Sequence, residues 1–225
     1  MHIEPGAVDG AKLLLGYATG SAAIAYAAKI GLSFARATGL AALAQRSAAT
    51  TALVFVFFQV LPHPPVGVSE VHLILGSTLF LLFGLAPTAL GLTIGLLLQG
   101  LLFAPFDLPQ YGMNVTTLLV PLFALAGVAE RMIPTGTRYV DIGYRQVFAL
   151  SATYQAGIVG WVVFWTIWGH GLSLATAGSL ATFGAAYLMV LVIEPLIDLA
   201  VLAGAKAIDQ ARANSLFEQR LFQAL

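Results

Sequence analysis

A chain that opens Met1-His2 carries three nitrogens able to chelate one metal ion: the terminal amine, the amide nitrogen of residue 2 and the His2 ring. Bound together they form fused, nearly planar chelate rings, and a fourth nitrogen completes a square. Square-planar nitrogen coordination suits Ni(II) or Cu(II), and ionising the amide requires a strongly polarising ion. The other histidines are His63, His72 and His170. His63 lies in Pro62-His63-Pro64-Pro65, a rigid extended turn. His72 opens an apolar run, where its ring can enter the protein. These two are the candidates for the fourth nitrogen. A histidine at position 2, or at a helix end, is also what an ordinary surface or interfacial residue looks like, so the pattern needs support from elsewhere.

Other polar residues interrupt apolar sequence. Asn114 follows Gly112-Met113 at the start of an apolar run. Its side chain either caps that helix or holds a histidine ring as a hydrogen-bonding partner behind the ligand. Gln99 sits mid-run and is expected to face protein, not lipid. Glu194 and Asp198 are four apart, on one helix face, with Pro195 between them. Two unpaired carboxylates there would be costly, so basic partners are expected from the 131–145 loop or from another subunit. They are placed in the inner half, far from the histidines, and are not assigned to the metal. The chain has no cysteine, so disulfides and thiolate ligands are excluded. It has no G-x-x-x-x-G-K-[ST] stretch, no Ser/His/Asp set and no basic stripe for nucleic acid. No organic cofactor and no enzymatic activity are expected.

The elements that must hold these residues are membrane helices. Of 225 residues 59% are hydrophobic and 9% charged, with mean hydropathy +0.90; soluble domains carry about 25% charged residues. A crossing helix takes roughly 20 apolar residues. The hydropathy predicts an all-α bundle of about seven transmembrane helices, near 11–32, 47–62, 73–85, 87–104, 114–132, 145–168 and 175–205, the third unusually short. With the N-terminus outside, Lys29, Arg36, Arg46, Arg131, Arg138, Arg145, Lys206, Arg212 and Arg220 all fall inside and only Lys12 outside, as cytoplasmic loops prefer. The C-terminus is then cytoplasmic, and all four histidines lie on the outer side. The opening MHIEPGAVDG has no basic stretch before the first apolar run. No cleavable signal is therefore expected, and the bulky His2 is expected to keep Met1 in place. Small residues recur at four-residue spacing, Gly16 and Gly20, Ala23, Ala27 and Gly31, Ala48 and Ala52. They suit close helix packing, within the bundle or on a second membrane subunit. Residues 1–206 form the transmembrane part. A tail, 207–225, puts Phe217, Leu221 and Leu225 on one stripe, suited to the inner membrane surface or a cytoplasmic partner.

Three stretches resemble a known family, the substrate-specific membrane subunits of energy-coupling-factor cobalt and nickel transporters (CbiM/NikM). They are Met1-His2-Ile3 with Gly6 nearby; His72 to Gly84, ending Leu82-Phe83-Gly84; and Gln99-Gly100-Leu101-Leu102-Phe103 with Gly112-Met113-Asn114-Val115. The last is similar to the family's Gln-Ala-Leu-Leu and Gly-Ala-Asn-Val motifs. The likeness covers roughly the first 130 residues. It implies seven spans, a bacterial inner-membrane location and capture of Co(II) or Ni(II) as transported substrate. The implied ligands are the Met1 amine, the His2 amide and ring, and His72, with His63 as the alternative fourth ligand. Asn114 and Gln99 would stand behind them. The implied partners are a transmembrane coupling subunit and cytoplasmic ATPases, with room for a small accessory membrane subunit, all in a lipid bilayer. The family's loop histidine follows Ser and precedes Pro-Thr-Gly, whereas His72 follows Val71 and precedes Leu73-Ile74-Leu75. Two other readings remain at this stage: a capture subunit for an organic micronutrient such as a vitamin, and a membrane enzyme or assembly factor.

Overall fold

The structure, a computed structural model, describes Ile3 and residues 6–212. Met1, His2 and the tail residues Phe217, Leu221 and Leu225 lie outside the described residues. Seven α-helices follow one another: α1 Leu13–Thr38, α2 Leu40–Phe55, α3 Gly76–Phe83, α4 Leu85–Leu102, α5 Tyr111–Met132, α6 Tyr144–His170 and α7 Leu174–Arg212. Among the described residues, six are long and apolar enough to cross a membrane, and α3 is the exception. With all backbone groups paired internally, helices are the natural solution in hydrocarbon.

Helix α5 is the centre of the bundle. Asn114, Thr116 and Thr117 are buried along it, with Leu118, Leu119, Leu122 and Leu125. Helix α1 reaches it by close backbone contact. A Cβ added to Gly112 would lie 2.4 Å from the Gly16 carbonyl oxygen, and one on Gly20 would lie 2.7 Å from the Gly112 Cα. Gly16, Gly20, Ala23, Ala27 and Gly31 therefore pack inside the bundle, whereas Ala48 and Ala52 stay exposed on α2. Helix α6 lies between α5 and α7. At the end of the bundle opposite the histidines, the loop between α5 and α6 folds back onto α7: Lys206 donates to the Val140 carbonyl at 2.7 Å. In that loop Arg138 hydrogen-bonds Asp141, which holds the Asp141 carboxyl below its usual range.

The third crossing is the departure from a simple helix count. Eight residues of helix span about 12 Å, far short of the roughly 30 Å hydrocarbon core. The rest of residues 61–84 is a hairpin and an extended link. Strands β1 Pro65–Val66 and β2 Ser69–Glu70 pair antiparallel, with Val66 opposite Ser69. Their two-residue turn has Gly67 at φ +66 in its first position, a geometry that matches the strand twist. The chain then runs extended through His72 to Leu75, which takes φ 53, a conformation costing a non-glycine residue of order 1–3 kcal/mol. Backbone without regular structure is tolerated at this depth only when buried in protein. Ile74, Leu75, Gly76, Ser77 and Thr78 are all buried.

Glu194 and Asp198 are what seal this segment, and they correct the expectation of basic partners in an inner half remote from the histidines. Glu194 Oε1 accepts the Ile74 N–H, two residues from His72, and the Leu75 N–H faces the same carboxylate. The Gln155 side-chain amide donates to Glu194 Oε2, and the Tyr187 hydroxyl donates to Gln155. Asp198 accepts the Ser77 hydroxyl at 2.6 Å and the Thr78 hydroxyl. Among the described residues no Lys or Arg forms an ion pair with either carboxylate. The start of a half-helix presents orphan N–H groups and the positive end of its dipole, and carboxylates are the natural partners.

Candidate metal centre

The hairpin places three donor side chains together at one end of the bundle. β2 and the residues after it are extended, so positions two apart point the same way. Glu70 and His72 thus face one side, and Glu70 Oε2 lies 2.8 Å from His72 Nε2. His63, held before β1 by its prolines, stacks on the His72 ring with centroids 5.0 Å apart and planes within 6°. Its Nδ1 is 3.9 Å from the same Glu70 oxygen. One donor atom from each of His63, Glu70 and His72 lies within 4.8 Å of the others. His72 is fully buried, whereas His63 and Glu70 are partly open. Phe58 closes the inner wall, its ring 5.2 Å from that of His72. It sits where α2 finishes in a wider turn, closed by Leu61 N–H on the Val56 carbonyl at 3.2 Å. Local π turns of this kind recur at functional sites.

The N-terminal segment meets the hairpin. Ile3, fully buried, forms an antiparallel bridge with Ser69, and its N–H donates to Asn114 Oδ1 at 2.8 Å. Asn114 thus holds the N-terminal segment, and it is not the cap of its helix. Helix α5 begins three residues earlier, at Tyr111, because Pro105–Gln110 winds into 3₁₀ turns that feed it. Residues 7–12 then cross the end of α6. Lys12 Nζ donates to the Gly169 carbonyl at 2.7 Å, and Trp168 Nε1 donates to the Lys12 carbonyl at 3.2 Å.

The remaining expected residues divide. Gln99 is buried and donates to the Phe58 carbonyl at 3.4 Å, one side chain removed from His72. Asp107, buried, borders with Asn114 a cavity of about 10 Å³, the room of one water. His170 is exposed at the end of α6 and outside the cluster. Glu70 as the direct partner of His72 was missed. The signal was present as Glu-x-His in an extended stretch, where alternate residues share a side.

The fold and this arrangement define a multi-pass α-helical membrane protein with a nitrogen and oxygen donor cluster at one end of its bundle. Comparison with known families is decisive about the kind. Residues 2–211 match the family described as the cobalt uptake substrate-specific transmembrane region, CbiM, and the chain belongs to it. The match runs well beyond the first 130 residues in which motifs are recognisable. The protein is thus a membrane transport component for cobalt uptake, in a family of transporters and not of enzymes. Neither the comparison with curated proteins nor that with solved structures returns a match.

Proposed function

We propose that the chain is the capture subunit of an energy-coupling-factor importer. It takes Co(II) or Ni(II) at the outer face through the Met1 amine, the His2 amide and ring, and His72. A transmembrane coupling subunit and cytoplasmic ATPases then drive release inward. The observation that carries this is the pinning of Ile3 between Asn114 and Ser69. Consecutive Cα atoms are 3.8 Å apart, so the Met1 Cα is tethered within about two residue lengths, roughly 7.6 Å, of the Ile3 Cα, and the terminal amine one bond of about 1.5 Å beyond it. Ser69 is three residues from His72 in the same hairpin. Connectivity alone thus keeps both nitrogen sources in one neighbourhood. Glu70 supplies the carboxylate usually found behind a ligating histidine. A carboxylate only accepts, so the His72 proton belongs on Nε2 and the lone pair on Nδ1. Asp9 and Asp107 add negative charge that attracts cations to this end.

An N-terminal fusion tests the reading, because it converts the amine to an amide and leaves every histidine in place. Metal titration of that form is expected to show no high-affinity binding, while a tag after Leu225 leaves affinity unchanged at matched melting temperature. Equal affinities for the two forms reject it. The histidine end is outside in this proposal. In the cysteine-free chain, Ser173→Cys is expected to label from the exterior and Thr135→Cys from the cytoplasm.

The His63–Glu70–His72 cluster favours one other reading, in which these three side chains hold the ion without the terminus. Its signature is an N-terminally tagged chain that binds normally and loses the ion on His63→Ala.

A further inference from the structure

We propose that Glu194 is a positioning residue for metal capture: its carboxylate fixes the backbone at Ile74–Leu75, and through that short lever the His72 ring. The proposal rests on the reading of His72 as a ligand.

The placement of the contacts separates this role from ordinary helix capping. The first turn of α3 is already held by Asp198, through Ser77 and Thr78. Glu194 acts one step upstream, on the extended link between His72 and the helix. That link contains Leu75, the only non-glycine residue with positive φ among the described residues. A backbone held in a disfavoured conformation persists only where its surroundings over-determine it. Here the surroundings are a fully buried carboxylate on α7, oriented by Gln155 from α6, which is itself held by Tyr187. Three side chains from two helices thus stand behind a two-residue segment close to the ligand. His72 itself is buried between Phe58 and His63, so a small backbone change displaces its ring from the Glu70 carboxylate that it meets at 2.8 Å. Misplacing a group by about 1 Å is enough to degrade a site built on fixed geometry.

The mechanism is reach, not charge, and two conservative substitutions separate these. Glu194→Gln keeps an acceptor oxygen at the same distance and removes the charge. Glu194→Asp keeps the charge and withdraws the oxygens by one methylene. The full chain in lipid nanodiscs would be titrated with cobalt. The metal-free form would be measured separately, by hydrogen exchange at the Ile74 amide and by the ¹⁵N shift of the His72 ring. We expect Glu194→Gln to bind within threefold of the parent, with the Ile74 amide still protected and the ring signal in place. We expect Glu194→Asp to bind at least tenfold more weakly, with Ile74 exchanging at least tenfold faster and the His72 signal moved.

The inference is overturned by the reverse order, by two variants that both bind like the parent, or by losses that merely follow melting temperature with an unmoved His72 signal. The metal-free measurements do not depend on the ligand assignment. If the tagging experiment rejects Met1 and His2, the exchange and ring data still decide whether Glu194 positions the loop.

Discussion

Two clusters of carboxylate lie on either side of one short stretch of chain, and they are used in opposite ways. At the mouth, Glu70 faces two imidazoles from a partly open position, so its partners are groups that can exchange protons or metal. A few residues further on, Glu194 and Asp198 are sealed in the bundle and accept from backbone N–H groups and neutral side chains. The first arrangement leaves chemistry available to an incoming cation. The second uses up acceptor capacity to hold backbone that no regular helix is satisfying. A carboxylate inside a membrane protein is by default a pointer to a functional site. Here the buried pair meets the chain just after the donor cluster, at Ile74, Ser77 and Thr78, so on the reading proposed above such a pointer is one step indirect.

The sharpest way to break the contrast is to remove His72. His72→Ala is expected to weaken cobalt binding by about 10²–10³-fold, the share of one ligand in four of a metal-binding free energy of roughly 10–16 kcal/mol. His170→Ala, measured beside it, should change nothing. Calorimetry showing normal binding by His72→Ala would move the centre to His63. Glu70→Gln is the next largest effect. Loss of the carboxylate behind a ligating imidazole is expected to lower affinity by about 10–100-fold while leaving the melting temperature in place.

Six of the seven helices were legible from hydropathy, because an apolar run of roughly 18 residues or more is long enough to cross the hydrocarbon core as a helix. The third was legible as an unusually short run near 73–85, where the structure has α3 Gly76–Phe83, but the hairpin that completes this crossing was not. Its apolar run is short, and nothing local announces that a hairpin precedes it. The missed partners of Glu194 and Asp198 have a similar cause. A pair of carboxylates directs attention to Lys and Arg, while the true donors are main-chain groups and neutral side chains with no sequence signature. The Asn114 position was recognised from its motif, yet its contact with Ile3 joins residues 111 apart, and no local pattern encodes that distance. The likeness of the opening Met1-His2-Ile3 carried more information than any single spacing.

Acidity offers a smaller, graded test of the mouth. The terminal amine must be neutral to bind metal, and its free pKa is about 7.7–8.0. As the pH is lowered, affinity should therefore fall about tenfold per pH unit above that range, from the amide proton alone, and at least about a hundredfold per unit below it, where the amine proton is released as well. A flat profile between pH 8 and 6 would remove the amine from the site. The smallest effect on binding is expected from the sealed cluster's second member. Asp198→Asn turns one acceptor into a donor facing two hydroxyls, at a cost of about 1–3 kcal/mol. That is a drop of roughly 2–12 °C in melting temperature for a chain of this size, with cobalt affinity changed less than threefold. A loss of affinity as large as that of Glu70→Gln would erase the distinction between the two clusters.

The half-helix has a consequence for how the protein is made. Its seal is provided by Glu194 and Asp198, each 120 residues further along the chain than the Ile74 and Thr78 groups they bind. At about 5–20 residues per second, a ribosome needs roughly 6–24 s to supply them. During that interval the third crossing is too short to enter the bilayer alone and has no partner for its leading backbone groups. The earlier helices must insert around a segment that waits, and the end of the bundle that carries the donor cluster is completed only when the last helix arrives.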